Sequence, residues 1–164
     1  MMYRVFIGLG GNQGNSLDIL KQAAMQIAAL PGCHMIAMSS FYQSQAWGGI
    51  AQDDFVNAVL EISTELEPLV LLDLMLAIER NFGRTRQNEL RWGPRSLDCD
   101  ILLYGDLQLD SERLKIPHPR MMQRAFVLKP LAELDSHLVI AEFGNVSNLL
   151  AALNDQSVQK ILNE

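Results

Sequence analysis

Apolar and polar positions change their spacing several times along the chain, and each change marks an element. Tyr3 to Leu9 is short and rich in Val, Phe and Ile, which predicts a first strand broken by Gly8, Gly10 and Gly11. Leu17, Leu20, Ala24, Ile27 and Ala28 then recur at helical spacing, between a cap at Asn15 or Ser16 and a stop at Pro31-Gly32. Cys33 to Gln43 reads as a second strand and Asp54 to Ser63 as a third, with Gly48-Gly49 in the loop between them. Glu67-Pro68 opens a second helix that runs through Leu69, Leu72, Met75 and Leu76 to Phe82, where Gly83 stops it. Residues 84–91, RTRQNELR, are polar and without period, and read as a mobile loop able to close over a bound ligand. Leu97 to Tyr104 is a further strand that ends at the turn Gly105-Asp106. Ile116 to Arg120 is an extended turn into a helix bearing Arg124 and Phe126, and a moderate helical pattern returns around Val146 to Leu153. The order βαββαβ, with antiparallel hairpins and two helices on one face, predicts an α+β sandwich of ferredoxin-like type whose open face carries the site.

Strand alternation then concentrates the chemistry. In the Leu97 to Tyr104 strand, Leu97, Cys99, Ile101 and Leu103 are expected on a core face, which leaves Asp98 and Asp100 together on the other. Two carboxylates that close repel unless a cation or proton lies between them, and oxygen-only ligands suit a hard ion such as Mg²⁺, with phosphate as the natural co-ligand. Just upstream, Arg91 and Arg95 flank Trp92-Gly93-Pro94. They offer guanidinium forks for phosphate oxygens, and the indole offers a surface for a flat heterocycle. In the Asp54 to Ser63 strand, Val56, Ala58, Leu60 and Ile62 form the apolar face, so Phe55 and Asn57 share the opposite one. An aromatic beside an amide at the mouth of a sheet suits a flat, hydrogen-bonding ring.

Composition narrows the classes. A chain of 164 residues, nearly half of them hydrophobic, is expected to form one domain over residues 1–164. A net charge of −6 argues against a general nucleic-acid surface, so any phosphate site is local. Cys33 and Cys99 are too few for a disulfide framework, and their surroundings do not suggest zinc. The first residues hold too short an apolar run for a signal peptide and no segment reaches membrane-span length, so a cytoplasmic location without a membrane partner is expected.

The stretch RWGPRSLDCDILLYG resembles the signature of 6-hydroxymethyl-7,8-dihydropterin pyrophosphokinase, and IGLGGNQGN, SSFY, DDFVNAV, IERNFGRTR and IPHPRMMQRAFVLKPL resemble that family in the same order. The resemblance implies transfer of diphosphate from ATP to a pterin alcohol in folate biosynthesis, with AMP released, by a cytoplasmic enzyme expected to be a monomer. It implies two Mg²⁺ ions on Asp98 and Asp100, and catalytic roles for Arg84, Arg86, Arg91, Trp92 and Arg95. It further implies ATP contacts from Glu79, Ile101, His118 and Arg124, and pterin contacts from Ser44, Trp47, Phe55, Asn57 and Phe126. Gln45 and Asp53 stand where the family often has proline, and Pro119 where some relatives have tyrosine. Two other classes remain in view. The GLGGNQGN run invites a dinucleotide-dependent oxidoreductase, although Gln13 stands where a third fingerprint glycine belongs. A regulatory module of the same fold would bind ligand without turnover.

Overall fold

The structure is a computed structural model, and it describes residues 1–45, 52–83, 96–153 and 156–161. In chain order the elements are β1 (Tyr3–Gly11), α1 (Ser16–Ala28), β2 (Cys33–Met38), β3 (Tyr42–Ser44), β4 (Phe55–Thr64), α2 (Pro68–Asn81) and β5 (Asp98–Tyr104). They continue with β6 (Leu109–Asp110), β7 (Lys115–Ile116), a 3₁₀ turn (Met121–Gln123), α3 (Ala125–Leu134), β8 (Val139–Ile140), β9 (Gly144–Asn145), α4 (Val146–Ala151) and β10 (Val158–Lys160). The main sheet has the order β10-β3-β4-β1-β5, with β2 also on β4, and every pairing in it is antiparallel. The parallel βαβ unit that a dinucleotide fingerprint requires is absent from this sheet, which removes the oxidoreductase reading.

The helices form where the pattern predicts. The Asn15 side chain caps α1 by accepting from the Asp18 amide at 3.3 Å, and Pro68 opens α2, where its missing N–H costs nothing. Gly32 and Gly83 follow the two helices at positive φ, the conformation that lets the chain turn away without a Cβ clash. Leu20, Ala23, Ala24 and Ile27 of α1, with Leu71, Met75 and Ile78 of α2, pack on one face of the sheet against Val5, Ile7, Leu9, Ala58, Leu60, Ile62, Leu97, Cys99 and Ile101.

Four features depart from the pattern. The predicted strand from Cys33 to Gln43 is two strands, because the Ser39 hydroxyl accepts the Val59 amide at 2.8 Å, a place a ladder carbonyl would otherwise take. The glycines do not break β1: Gly8, Gly10 and Gly11 lie inside it, and only Gly14 is in the turn, with φ 71°. Leu103 is not on the face of Leu97, Cys99 and Ile101. The register shifts so that Phe6 faces Leu103 and Ile7 faces Ile101, and this bulge turns both Leu102 and Leu103 onto the other face. That second face is not fully open either. Met121, Val127, Leu128, Leu131, Ile140 and Val146 cover Phe6, Val59, Leu102 and Leu103, so a site is confined to the end of the sheet they leave uncovered. The C-terminal segment supplies α4 and the outer strand β10.

Candidate functional site

Register brings the predicted residues of three strands together. Asn57 of β4, Gly10 of β1 and Asp98 of β5 form one row across the sheet, and Val59, Gly8 and Asp100 form the next. Residues paired across antiparallel strands point to the same face, and alternation adds Phe55 beside Asn57. Ser44 of β3 pairs with Phe55, and the Asn57 amide donates to the Ser44 hydroxyl at 2.7 Å. Ser44 and Asn57 are buried, while Phe55, Asp98 and Asp100 are partly exposed. Aromatic, amide and carboxylate pair therefore share one face, with two residues that have no side chain standing between them.

Those glycines are the feature that sequence reasoning missed. A strand of average composition would fill the central rows with side chains, whereas Gly10 leaves a trough floored by backbone; at Gly8 the Leu102 side chain takes the space, 3.4 Å from where a Cβ would lie. At Gly10 the fit is close: a Cβ would lie 3.0 Å from the Asn57 carbonyl oxygen. The signal was present as glycines two apart at the end of an apolar run, but the same spacing also suits a turn.

The segment between β7 and α3 walls the trough. His118 is held to β5 by its own amide, which donates to the Leu102 carbonyl at 3.0 Å, and its Nδ1 accepts from the Arg120 amide at 3.2 Å. Burial first and Arg124 second pull the imidazole down to about 4, against the opposing pull of Asp98. The ring is neutral at pH 7, and with Nδ1 accepting, its proton is on Nε2. Arg124 lies within the electrostatic reach of both carboxylates and over the Phe126 ring, with its guanidinium carbon 5.5 Å from the centroid. Burial lowers its pKa from the ordinary value, while Asp100 and Asp98 hold it charged.

Two predicted contacts sit elsewhere. Glu79 is 1 % exposed on the helix side of the sheet, where its carboxylate accepts the Cys99 amide at 2.7 Å, between the two aspartates in sequence. The Ile101 side chain is in the core with α1 and α2, so only its backbone, on the last strand of the sheet order, faces outward. Arg84, Arg86, Arg91, Trp92, Arg95 and Trp47, together with the predicted closing loop, lie outside the described residues.

The donor set fits a hard divalent cation held jointly with a ligand. Among the described residues no group of three or more His, Cys, Asp or Glu side chains comes together, so these side chains alone do not form a cage. Mg²⁺ does not need one, since it is commonly held by one or two carboxylates plus substrate phosphates and water. No helix among the described residues is long and apolar enough to cross a membrane.

Known proteins share much of this sequence and this fold. The family model described as 7,8-dihydro-6-hydroxymethylpterin-pyrophosphokinase matches residues 6–136. A 2-amino-4-hydroxy-6-hydroxymethyldihydropteridine pyrophosphokinase of Methylorubrum extorquens is 42% identical over 160 residues, covering 98% of this chain and 99% of that protein. A protein of the same name from Pseudomonas aeruginosa is 42% identical over 161 residues, covering 98% of each. Among solved structures, a Plasmodium falciparum HPPK-DHPS with pterin and p-hydroxybenzoate superposes with a TM-score of 0.70 at 13% identity. It covers 93% of this chain, which spans only 42% of the solved one, so that likeness concerns the fold alone.

Proposed function

The chain belongs to the 7,8-dihydro-6-hydroxymethylpterin-pyrophosphokinase family, and from that premise we propose how its trough performs the reaction. The enzyme transfers the β,γ-diphosphate of ATP to the hydroxymethyl oxygen of 6-hydroxymethyl-7,8-dihydropterin in folate biosynthesis and releases AMP. The observation that carries the site assignment is the single row Asn57, Gly10, Asp98: a ring-reading amide and a carboxylate face one way across a floor without side chains.

In this reading the pterin lies in the trough between Phe55 and Phe126, with its edge against Asn57 and Ser44. Asn57 is poised for that role because Ser44 already fixes its amide, which leaves the carbonyl oxygen in a defined direction. The polyphosphate runs toward β5, where Arg124 neutralises oxygens and His118 donates from Nε2. A neutral imidazole that has its proton on Nε2 and its Nδ1 occupied is a donor and not a base, so His118 orients phosphate and does not deprotonate the alcohol. Arg84, Arg86, Arg91, Trp92 and Arg95 complete the reading as groups that neutralise the transferring oxygens and shield them from water. Asp98 and Asp100 would hold two Mg²⁺ ions, which when bound offset the negative charge on the phosphate oxygens. The new bond joins the hydroxymethyl oxygen to the β-phosphorus, the hydroxyl proton passes to solvent, and the bond that breaks joins that phosphorus to the oxygen bridging it to the α-phosphate, which leaves with AMP. We assign Glu79 an indirect part, since its carboxylate anchors the Cys99 amide and so fixes the strand that carries both aspartates. The sheet order, with its two crossover helices on one face, supports the ferredoxin-like assignment, and two buried cysteines that form no disulfide support a reducing, cytoplasmic setting. We place the enzyme there as a monomer.

The test is which bond of ATP breaks. With Mg²⁺, 6-hydroxymethyl-7,8-dihydropterin and γ-labelled ATP, label moves to the pterin and AMP forms in equal amount. Accumulation of ADP overturns the reading, because attack at the γ-phosphorus is ordinary kinase chemistry that the same carboxylates and arginines would support equally well.

A further inference from the structure

Arg124 occupies an awkward place in the fold. It is the N-cap of α3, with φ −120° and ψ 106°, and makes no side-chain cap bond there. Caps are ordinarily Ser, Thr, Asp or Asn, whose oxygens accept the unpaired amides of the first turn, whereas a guanidinium has no acceptor to offer. Gln156, 32 positions further along the chain, takes over that task. Its side-chain oxygen accepts the Ala125 amide at 2.8 Å, and its NH₂ donates to the Gln123 carbonyl at 2.7 Å. One amide group thus grips the backbone on both sides of Arg124.

The gripping residue is itself fixed. Two residues later Val158 is buried and pairs with Ser44, the partner of Asn57, and its carbonyl accepts from the Lys129 ammonium at 2.9 Å. Ile161 donates from its amide to the Phe41 carbonyl at 2.8 Å. Ala125 packs with Tyr42 and Val158, so the first residue of α3 is held between β3 and β10. None of this tail falls within the residues 6–136 that the family model matches.

We propose that Gln156 is a positioning residue for the pyrophosphokinase reaction: by bracketing Gln123 and Ala125 it sets the backbone at Arg124 and so aims the guanidinium into the trough. The inference rests on the reading of Arg124 as a phosphate contact, and a double-mutant cycle separates the two. Gln156→Ala is expected to lower kcat/KM for ATP about tenfold, and by less than about twofold when Arg124 is already alanine, because a residue acting through another has nothing left to aim. Gln156→Glu keeps the oxygen for Ala125 and loses the donor for Gln123. It is run through the same cycle, which therefore closes even where Gln156→Ala does not fold. Leu71→Val, in the core on α2 and on the opposite face of the sheet from α3, is expected to lower Tm while leaving kcat/KM near that of the wild type. The inference is overturned if Gln156→Ala costs nothing, if it costs the same in both backgrounds, or if Leu71→Val reproduces its loss. If Arg124→Ala itself leaves kcat/KM unchanged, the phosphate role of Arg124 fails first, and the role of Gln156 fails with it.

Discussion

Removing a carboxylate from the Asp98–Asp100 pair separates chemistry from folding, because both are partly exposed on a strand whose other face is core. Asp98→Ala and Asp100→Ala are each expected to lower turnover at least about a hundredfold, since the charge stabilisation a metal supplies is worth several kcal/mol. The circular dichroism should match that of the wild type. Near-normal turnover in both variants would remove the metal assignment. Gly10 probes the neighbouring position in the same row. A methyl there would press on the Asn57 carbonyl oxygen 3.0 Å away, while the amide is tied on its other side to Ser44. Loss of one well-aligned hydrogen bond costs about 0.5–1.5 kcal/mol, so Gly10→Ala should weaken pterin binding roughly three- to tenfold. ATP binding should hold, and calorimetry on each ligand separately distinguishes this from a general loss of the site.

At the scale of elements, the contact of α3 with β3 carries a pH dependence. Glu133 of α3 accepts from the Tyr42 hydroxyl and from the amide and hydroxyl of Ser40, and Lys160 of β10 lies nearby. Burial pushes its carboxyl upward, but these bonds and Lys160 outweigh it, and the net shift is below the ordinary value of 4.5. A carboxylate with a depressed pKa adds stability that is fully present above that ordinary value and is lost as pH falls through the folded one. Thermal stability should therefore drop on acidification below about pH 4.5 in the wild type. Glu133→Gln, which keeps an acceptor oxygen but no titrating proton, should show a shallower drop in the same window; an unchanged slope in scanning calorimetry would refute it. Elements whose signals are local were legible in the sequence: Asn15, Pro68 and Gly83 mark helix ends through backbone chemistry that needs no partner. Asp98 with Asp100, and Phe55 with Asn57, were legible because alternation alone puts them on one face. What escaped depends on a neighbour. The displacement of Leu103 comes from how β1 and β5 register, the split at Ser39 from a hydroxyl meeting Val59 across the sheet, and the glycine floor from the strands on either side of β1.

For the whole molecule, the tail shows most clearly what periodicity cannot reveal, because residues 156–161 bear no local pattern and derive their structure from elements far away in sequence. Val158, Gln159 and Lys160 pair with Ser44, Gln43 and Tyr42, which makes β10 the outer strand of the sheet in place of β3. Deleting residues 154–164 would expose Val158's contacts, remove the Gln156 cap on α3 and leave β3 with a bare ladder edge. Burying a valine is worth about 1.5–2 kcal/mol and a helix cap about 1 kcal/mol. For a chain of this size the sum corresponds to a fall in Tm of roughly 5–12 °C. An uncovered edge strand is also a template for pairing with another copy, so the shortened protein should associate more strongly than the full chain as its concentration rises. Calorimetry with sedimentation at several concentrations checks both. A shortened chain with wild-type Tm and no association would mean that β10 merely rests on β3, and that the sheet through β3, β4, β1 and β5 stands without it.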